Sequence, residues 1–386
     1  MDIFSLDKTY VAGTYGRFPV ALVSGKGSVL TDIDGKTYID MCSGIGVTAF
    51  GNGDAQWVKA VTEQLNKLQH TSNLYYTQPC AQLAQLLCEK TGMKKVFFSN
   101  SGAEANECAI KYARGYSQQK KGQAFSTIIT LENSFHGRTL TTLAATGQEH
   151  YHELFQPLTP GFVHVKAGDI AGLHKLVEEH KVAGILLECI QGEGGVVPLD
   201  KEFIEAAAKL CKEQDIPLMI DEVQTGNGRT GKLYAYMHYG ITPDIVSTAK
   251  GLGGGLPIGA TMVSEKMQDV LAPGDHGSTY GGNPVCCAGA LSILSRLDDD
   301  FLAQVQEKSD YVFRALANAD GVKAVTGKGL MIGIQTEKEA KQVVNTCIEK
   351  GVLCLTAKDK VRLLPPLNIP MSLLQEAVET IKAACK

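Results

Sequence analysis

The stretch "DIVSTAKGLGGGLPIGA", Asp244 to Ala260, decides how this chain is read. A strand-like apolar run leads into one lysine, Lys250, and five of the next nine residues are glycine. Lysine ordinarily sits on a solvated face, yet this one stands where backbone must pack closely. The fragment is not a Walker A loop, which needs Gly-Lys-Ser/Thr after a four-residue gap from its first glycine. Taken alone, it fits a surface lysine at a strand end. The segments around it change that reading.

Upstream, "IPLMIDEVQTGNGRTG" (216–231) ends another apolar strand on Asp221 and Glu222. A carboxylate there is costly unless paired, so a hydrogen-bonded core acid or a metal ligand is one reading and a functional acid the other. Lys250 follows Asp221 by 29 residues, at the end of the next strand. Parallel pairing would bring both to one sheet edge. Further upstream, "FFSNSGAEANECAIKYAR" (97–114) reads as strand, turn and helix. Ser101 and Glu104 have capping-box spacing, and the free N–H groups of Gly102 and Ala103 would make an anion site at the helix start.

Strand-like and helix-like segments alternate through the middle of the chain. "KKVFFSN", "FSTIITLEN", "VAGILLECI" and "IPLMIDEV" are separated by amphipathic stretches such as "KEFIEAAAKLCKEQD". That pattern predicts an α/β fold with a mostly parallel central sheet and helices on both faces. In such sheets ligands bind beyond the carboxyl ends of the strands. The first 50 residues instead read as short antiparallel strands with Gly/Asp turns, and the chain after Pro284 mixes helices with short strands. The expected organisation is a large α/β domain over 51–280 and a smaller α+β domain built from 1–50 and 281–386.

The 386 residues are 44% hydrophobic and 20% charged, an ordinary globular composition. A net charge of −4 gives a nucleic-acid partner no electrostatic support. No apolar run reaches the roughly 20 residues that cross a bilayer, and "VAGILLECI" is interrupted by Glu188. "MDIFSLDKTY" carries two aspartates and no apolar core, so it does not read as a signal peptide. The eleven cysteines are scattered without a C-x-x-C, which predicts reduced thiols and a cytoplasmic protein. No metal site is expected, and His150 and His152 read as part of a polar loop.

A phosphate cradle, a buried acid and a desolvated lysine in one crevice suit pyridoxal 5'-phosphate. Its aldehyde forms a Schiff base with a lysine, and its pyridinium nitrogen wants an anion. Lys250 would be that lysine, with glycines after it admitting backbone and cofactor closely.

These residues resemble the class III (ornithine-type) aminotransferases of pyridoxal-phosphate fold type I. The resemblance runs over essentially the whole chain, in "RFPVALVSGKGSVLTDIDGKTYIDMCSGIGV", "SNSGAEANECAIKYAR", "NSFHGRT", "CIQGEGGVVP", "IDEVQTGNGRTG", "STAKGLGGGLPIGA", "HGSTYGGNP" and "VRLLPPLNI". It implies that Ser101, Gly102 and Ala103 bind the cofactor phosphate, that Phe135 and Val223 flank the ring, and that Asp221 pairs with its nitrogen. Gln224 would reach the ring hydroxyl. Ser278 and Thr279 resemble the phosphate contact supplied by a partner subunit, which implies a homodimer with shared sites. Arg138 and Arg362 suit the two carboxylates of glutamate, and Glu193 can pair with Arg362 when a substrate brings only one.

Within the family, "SGIGV" and "GEGGVVP" resemble the acetylornithine branch more than the ornithine branch. The expected activity is N2-acetylornithine:2-oxoglutarate aminotransfer in arginine synthesis. Succinylornithine, succinyl-diaminopimelate or ornithine remain as alternative donors, and a pyridoxal-phosphate aminomutase is an alternative of a different class. A non-catalytic cofactor-binding protein would be expected to lose Lys250 or Asp221. One departure is "FGNGDAQW" (50–57), where relatives usually read Gly-His-x-His-Pro. No catalytic role attaches to it, and it bears on local structure and the pocket rim.

Overall fold

The computed structural model describes residues 2–386. Its centre is a seven-stranded sheet in the order Lys95–Ser99, Gly259–Val263, Ile245–Thr248, Leu218–Asp221, Val182–Leu187, Thr127–Leu131, Phe162–Val165. Six strands run the same way. Only Gly259–Val263 is reversed, antiparallel to both neighbours. All six residues of "VAGILL" (182–187) are buried, as a strand covered on both faces requires.

Alternation splits the covering layers. Leu186, Met219 and Ile245 pack with Cys108, Ile110 and Tyr112 of the helix Gly102–Lys121. Ile185, Leu187 and Ile220 face the other way, toward Phe203 and Ile204 of the helix Lys201–Glu213. The expected α/β class with helices on both faces is the observed one.

Both chain ends meet in a second region. Leu22–Lys26, Val29–Asp32 and Thr37–Asp40 form an antiparallel meander, and Val352–Leu353 adds to it in parallel, pairing Val352 with Ile39. A separate antiparallel sheet holds Val322–Lys328, Met331–Thr336, Lys360–Leu363 and Leu355–Ala357. Arg362 sits in it, opposite Gly333.

The strands of common direction all deliver their carboxyl ends to one edge. Ser99, Leu131, Leu187, Asp221 and Thr248 each end a strand there. The segments that follow carry Ser101–Ala103, Phe135–Arg138, Glu188–Glu193, Val223–Gln224 and Lys250. That edge is where the expected site residues converge. No helix among the described residues is long and apolar enough to cross a membrane.

Candidate active site

A cavity of about 430 Å³ opens at this edge. Ser101, Gly102, Ala103, Phe135 and Arg138 line it, together with Glu193, Asp221, Val223, Gln224 and Lys250. Ten of the residues singled out from sequence therefore share one space. Arg362 lies just behind the wall, 3% exposed, and reaches the lining through its guanidinium.

Lys250 follows its strand at φ 43°, in the left-handed region. Such backbone costs a non-glycine residue about 1–3 kcal/mol and persists where surrounding packing imposes it. Burial lowers the pKa of its amine, Glu193 opposes that shift, and Arg362 reinforces it. The net lowering increases the fraction that is neutral and able to act as a base.

The glycines after Lys250 divide their work. Gly255 lines the cavity. Gly259 instead faces its own chain, where a Cβ would sit 2.3 Å from the Ser101 carbonyl oxygen. The expectation that these glycines admit the cofactor thus fits Gly255, whereas Gly259 lets its strand close on the start of the helix. Trp57, from the divergent "FGNGDAQW", donates its indole N–H to the Gly253 carbonyl at 3.0 Å. The departure in sequence braces the lysine loop from behind.

The helix start differs from a standard capping box. Ser101 Oγ accepts from the Glu104 N–H at 3.1 Å. The Glu104 carboxylate reaches one residue further back than usual, to the Asn100 N–H at 2.8 Å. The Gly102 and Ala103 N–H groups keep no partner among the described residues, and both residues line the cavity. A Cβ on Gly102 would strike Val223 at 2.5 Å, so this cradle requires glycine. Two free N–H groups on a helix N-terminus suit a phosphate.

Asp221 is 4% exposed and accepts three hydrogen bonds. Asn106 Nδ2 (2.7 Å) and His136 Nδ1 (2.8 Å) donate to Oδ2, and the Val223 N–H (3.0 Å) donates to Oδ1. Asn106 is itself fixed by the Ser247 hydroxyl at 2.5 Å. These three donors fix the carboxyl group at the cavity wall, where it can accept from a ring nitrogen. The residues around the cavity fit pyridoxal phosphate at both ends, with donors at the helix start and an acceptor at Asp221.

Farther along the wall, Arg362 Nη1 lies 2.5 Å from Glu193 Oε1 and 3.4 Å from Gln224 Oε1. Gln224 Nε2 also donates to Glu193, at 3.4 Å. Gln224, expected at the ring hydroxyl, is turned in this state toward the acid–guanidinium pair. Burial would raise the Glu193 pKa, but the Arg362 charge and hydrogen bond outweigh it and the net shift is downward. Arg362 Nε is buried without a partner among the described residues. The Arg138 guanidinium is exposed and stacks on Tyr151, 4.4 Å from the ring centroid.

Ser278 and Thr279 do not line this chain's cavity. The Ser278 hydroxyl accepts from Asn100 Nδ2 at 3.1 Å and from the Gly281 N–H at 2.9 Å. Thr279 is exposed, and its hydroxyl makes no hydrogen bond among the described residues.

Sequence reasoning missed Asn106, His136, Ser247 and Glu188. Glu188 was noted only as a break in an apolar run. Its Oε2 accepts from the Phe135 N–H at 3.0 Å and its Oε1 from the Gly192 N–H at 3.3 Å, so it ties two site loops together. Burial raises its pKa to about 7. The signal for Asn106 was its place one turn beyond Gly102, and for Ser247 its register opposite Asp221.

The family model "Aminotransferase class-III" matches residues 10–385. The acetylornithine aminotransferase of Haemophilus ducreyi is 50% identical over 382 residues, covering 98% of this chain and 97% of that protein. Among solved structures, the ornithine aminotransferase of Toxoplasma gondii superposes with a TM-score of 0.94 at 31% identity, covering 99% of this chain and 94% of the other. The acetylornithine aminotransferase of Elizabethkingia anophelis gives 0.89 at 34%, covering 99% and 97%.

Proposed function

Because the chain belongs to the class-III aminotransferases, which work with pyridoxal 5'-phosphate, we propose that it moves the δ-amino group of N2-acetylornithine to 2-oxoglutarate in arginine synthesis. The observation that carries this reading is the Arg362–Glu193 pair, whose acid lines the same cavity as Lys250 and Arg138.

When bound, the cofactor supplies an aldehyde that exchanges the amino group and a pyridinium ring that draws electrons from the reacting carbon. The protein's part is to bind, orient and move protons. The Gly102 and Ala103 N–H groups would hold the phosphate, with Ser101 capping the helix that presents them. Phe135 and Val223 would confine the ring between them. Asp221 would hold a proton on the ring nitrogen, and the Asn106, His136 and Val223 donors fix its orientation for that task. Lys250 Nζ, whose pKa burial lowers, would take the proton from the substrate's amine-bearing carbon and return it.

Arg138 would bind the α-carboxylate of either substrate by a bidentate fork. With acetylornithine bound, the far end of the cavity meets no second carboxylate, and Glu193 neutralises Arg362. With glutamate or 2-oxoglutarate, the second carboxylate would displace Glu193 from Arg362, whose Nε is already without a partner among the described residues. Gln224, bonded to both members of the pair, would then be released toward the ring hydroxyl. One pocket thus serves two substrates in turn.

A homodimer and a cytoplasmic location belong to the same proposal. Leu74, Tyr75 and Tyr76 are exposed next to Asn73, which donates to the Ser278 carbonyl at 3.0 Å, and exposed Leu65 and Tyr280 line one groove, a surface suited to a second copy. All eleven cysteines are unbridged, as a reducing compartment favours. The same proposal divides the chain into a large domain of 51–280 and a small domain of 1–50 with 281–386; the pairing of Val352 with Ile39 supports joining the two chain ends.

The test is a set of half-reaction spectra with N2-acetylornithine, N2-succinylornithine, N-succinyl-diaminopimelate and free ornithine. Acetylornithine should give the highest kcat/KM, and full turnover should require 2-oxoglutarate. A higher value for another donor would replace the acyl assignment. Turnover without 2-oxoglutarate would point to an aminomutase.

A further inference from the structure

Arg138 lines the cavity without a hydrogen bond or an ion pair among the described residues. A long side chain free at both ends would lose much rotamer entropy on gripping a carboxylate. Two aromatic rings limit that freedom here. The guanidinium lies 4.4 Å from the Tyr151 ring centroid and 5.6 Å from that of Phe135, and the two rings meet edge to face at 5.8 Å.

Tyr151 is itself anchored. It closes the short turn Glu149–Tyr151, and the next residue pins that turn to the helix Leu140–Ala145. His152 Nε2 lies 2.9 Å from the Leu143 carbonyl oxygen and 2.7 Å from that of Thr146. The His150 ring also packs on Tyr151, with centroids 3.8 Å apart. The ring face is therefore fixed before any substrate arrives.

We propose that Tyr151 is a positioning residue for substrate carboxylates, its ring holding the Arg138 fork aimed into the cavity while leaving every guanidinium N–H free. Stacking suits this task better than an ion pair. A carboxylate partner would compete with the substrate for the same N–H groups, whereas a ring face attracts the cation and leaves its donors available. The inference rests on the proposed role of Arg138 as the carboxylate fork.

The experiment measures binding of glutarate, a dicarboxylate that cannot react, to the holoenzyme by calorimetry. Wild type, Tyr151→Phe, Tyr151→Leu, Arg138→Ala and the Arg138→Ala/Tyr151→Leu double variant are compared. Losing the ring should weaken glutarate roughly 3–30-fold, the range expected of a partly desolvated cation–π contact. Tyr151→Phe should stay within about 2-fold of wild type, because the ring face and not the hydroxyl is used. In the Arg138→Ala background, Tyr151→Leu should cost nothing further. Steady-state kinetics should show the Tyr151→Leu loss mainly in KM, with kcat little changed. An unchanged affinity in Tyr151→Leu, an equal loss in Tyr151→Phe, or a full additional loss without Arg138 would overturn the proposal. If Arg138→Ala alone left glutarate binding intact, the fork assignment itself would fall, and that outcome is separate from the others.

Discussion

Arg362 Nη1 stands 2.5 Å from Glu193 Oε1, and Gln224 touches both partners at 3.4 Å. Of the pair, Arg362 is almost fully buried while Glu193 keeps about a quarter of its side chain exposed to the cavity. The acid is the member free to swing. Arg362→Ala should therefore cost the glutamate half-reaction about 2–5 kcal/mol of transition-state binding, and the acetylornithine half-reaction much less. Stopped-flow rates for each half-reaction decide it, and equal losses in both would contradict the gate. Glu193→Gln should act oppositely, leaving Arg362 charged and the acetylornithine half-reaction the more impaired.

Lys250→Ala tests the centre of the mechanism. The Gly102 and Ala103 cradle and Asp221 are untouched by that change, so the protein should fold and still bind pyridoxal phosphate through its phosphate. It should lose the yellow absorbance that depends on the lysine amine, and nearly all turnover with it. Turnover near wild type would remove Lys250 from the reaction.

Glu222 offers a prediction about stability. It is fully buried, accepting from the Thr225 hydroxyl at 2.5 Å and from the Tyr236 N–H at 2.8 Å. Burial raises its pKa from 4.5 to about 7, against those hydrogen bonds. A folded-state value above the unfolded one favours the protonated form. Its contribution is complete below the unfolded value and is lost as pH rises through about 7. Between pH 6 and pH 8 that loss amounts to roughly 1 kcal/mol. Glu222→Gln keeps the shape and removes the titration. The holoenzyme's unfolding free energy in urea should fall between those pH values by about 1 kcal/mol more for wild type than for the variant. Parallel pH profiles would show that Glu222 does not titrate in this range.

The parts of the site legible in the sequence were those with strong local chemistry. Lys250 stood out against its glycines, Asp221 ended an apolar strand, and Ser101–Ala103 opened a helix. Each is a charged or turn-forming residue in a place that ordinary packing does not favour. Asn106, His136 and Ser247 carry no such mark. They become a network only when helix 102–121 and the neighbouring strands converge on Asp221, and that convergence depends on register. Glu188 showed how one signal can carry two meanings, since a charge that interrupts an apolar run also ends a buried strand beside a cavity. Trp57 was legible only as a departure. Its hydrogen bond to Gly253 spans 196 residues of sequence, beyond the reach of local pattern.

The final prediction concerns the shared site. Thr279 is exposed and outside its own chain's cavity, whereas Lys250 lines that cavity. On the proposed dimer, Thr279 would serve the partner's cofactor and Lys250 its own. Thr279→Ala should remove one phosphate contact, worth roughly 1.5–3 kcal/mol, or about 10–100-fold in cofactor affinity. At limiting pyridoxal phosphate that variant would be weak, and Lys250→Ala would be inactive. Unfolding and refolding the two together makes about half of the dimers mixed. Each mixed dimer gathers both lesions in one site and leaves the other intact, so roughly a quarter of all sites should recover wild-type cofactor affinity. If Thr279 instead bound phosphate within its own subunit, mixing would create no intact site. Activity at limiting cofactor would then stay at the level of diluted Thr279→Ala, and the intersubunit assignment would have to be abandoned.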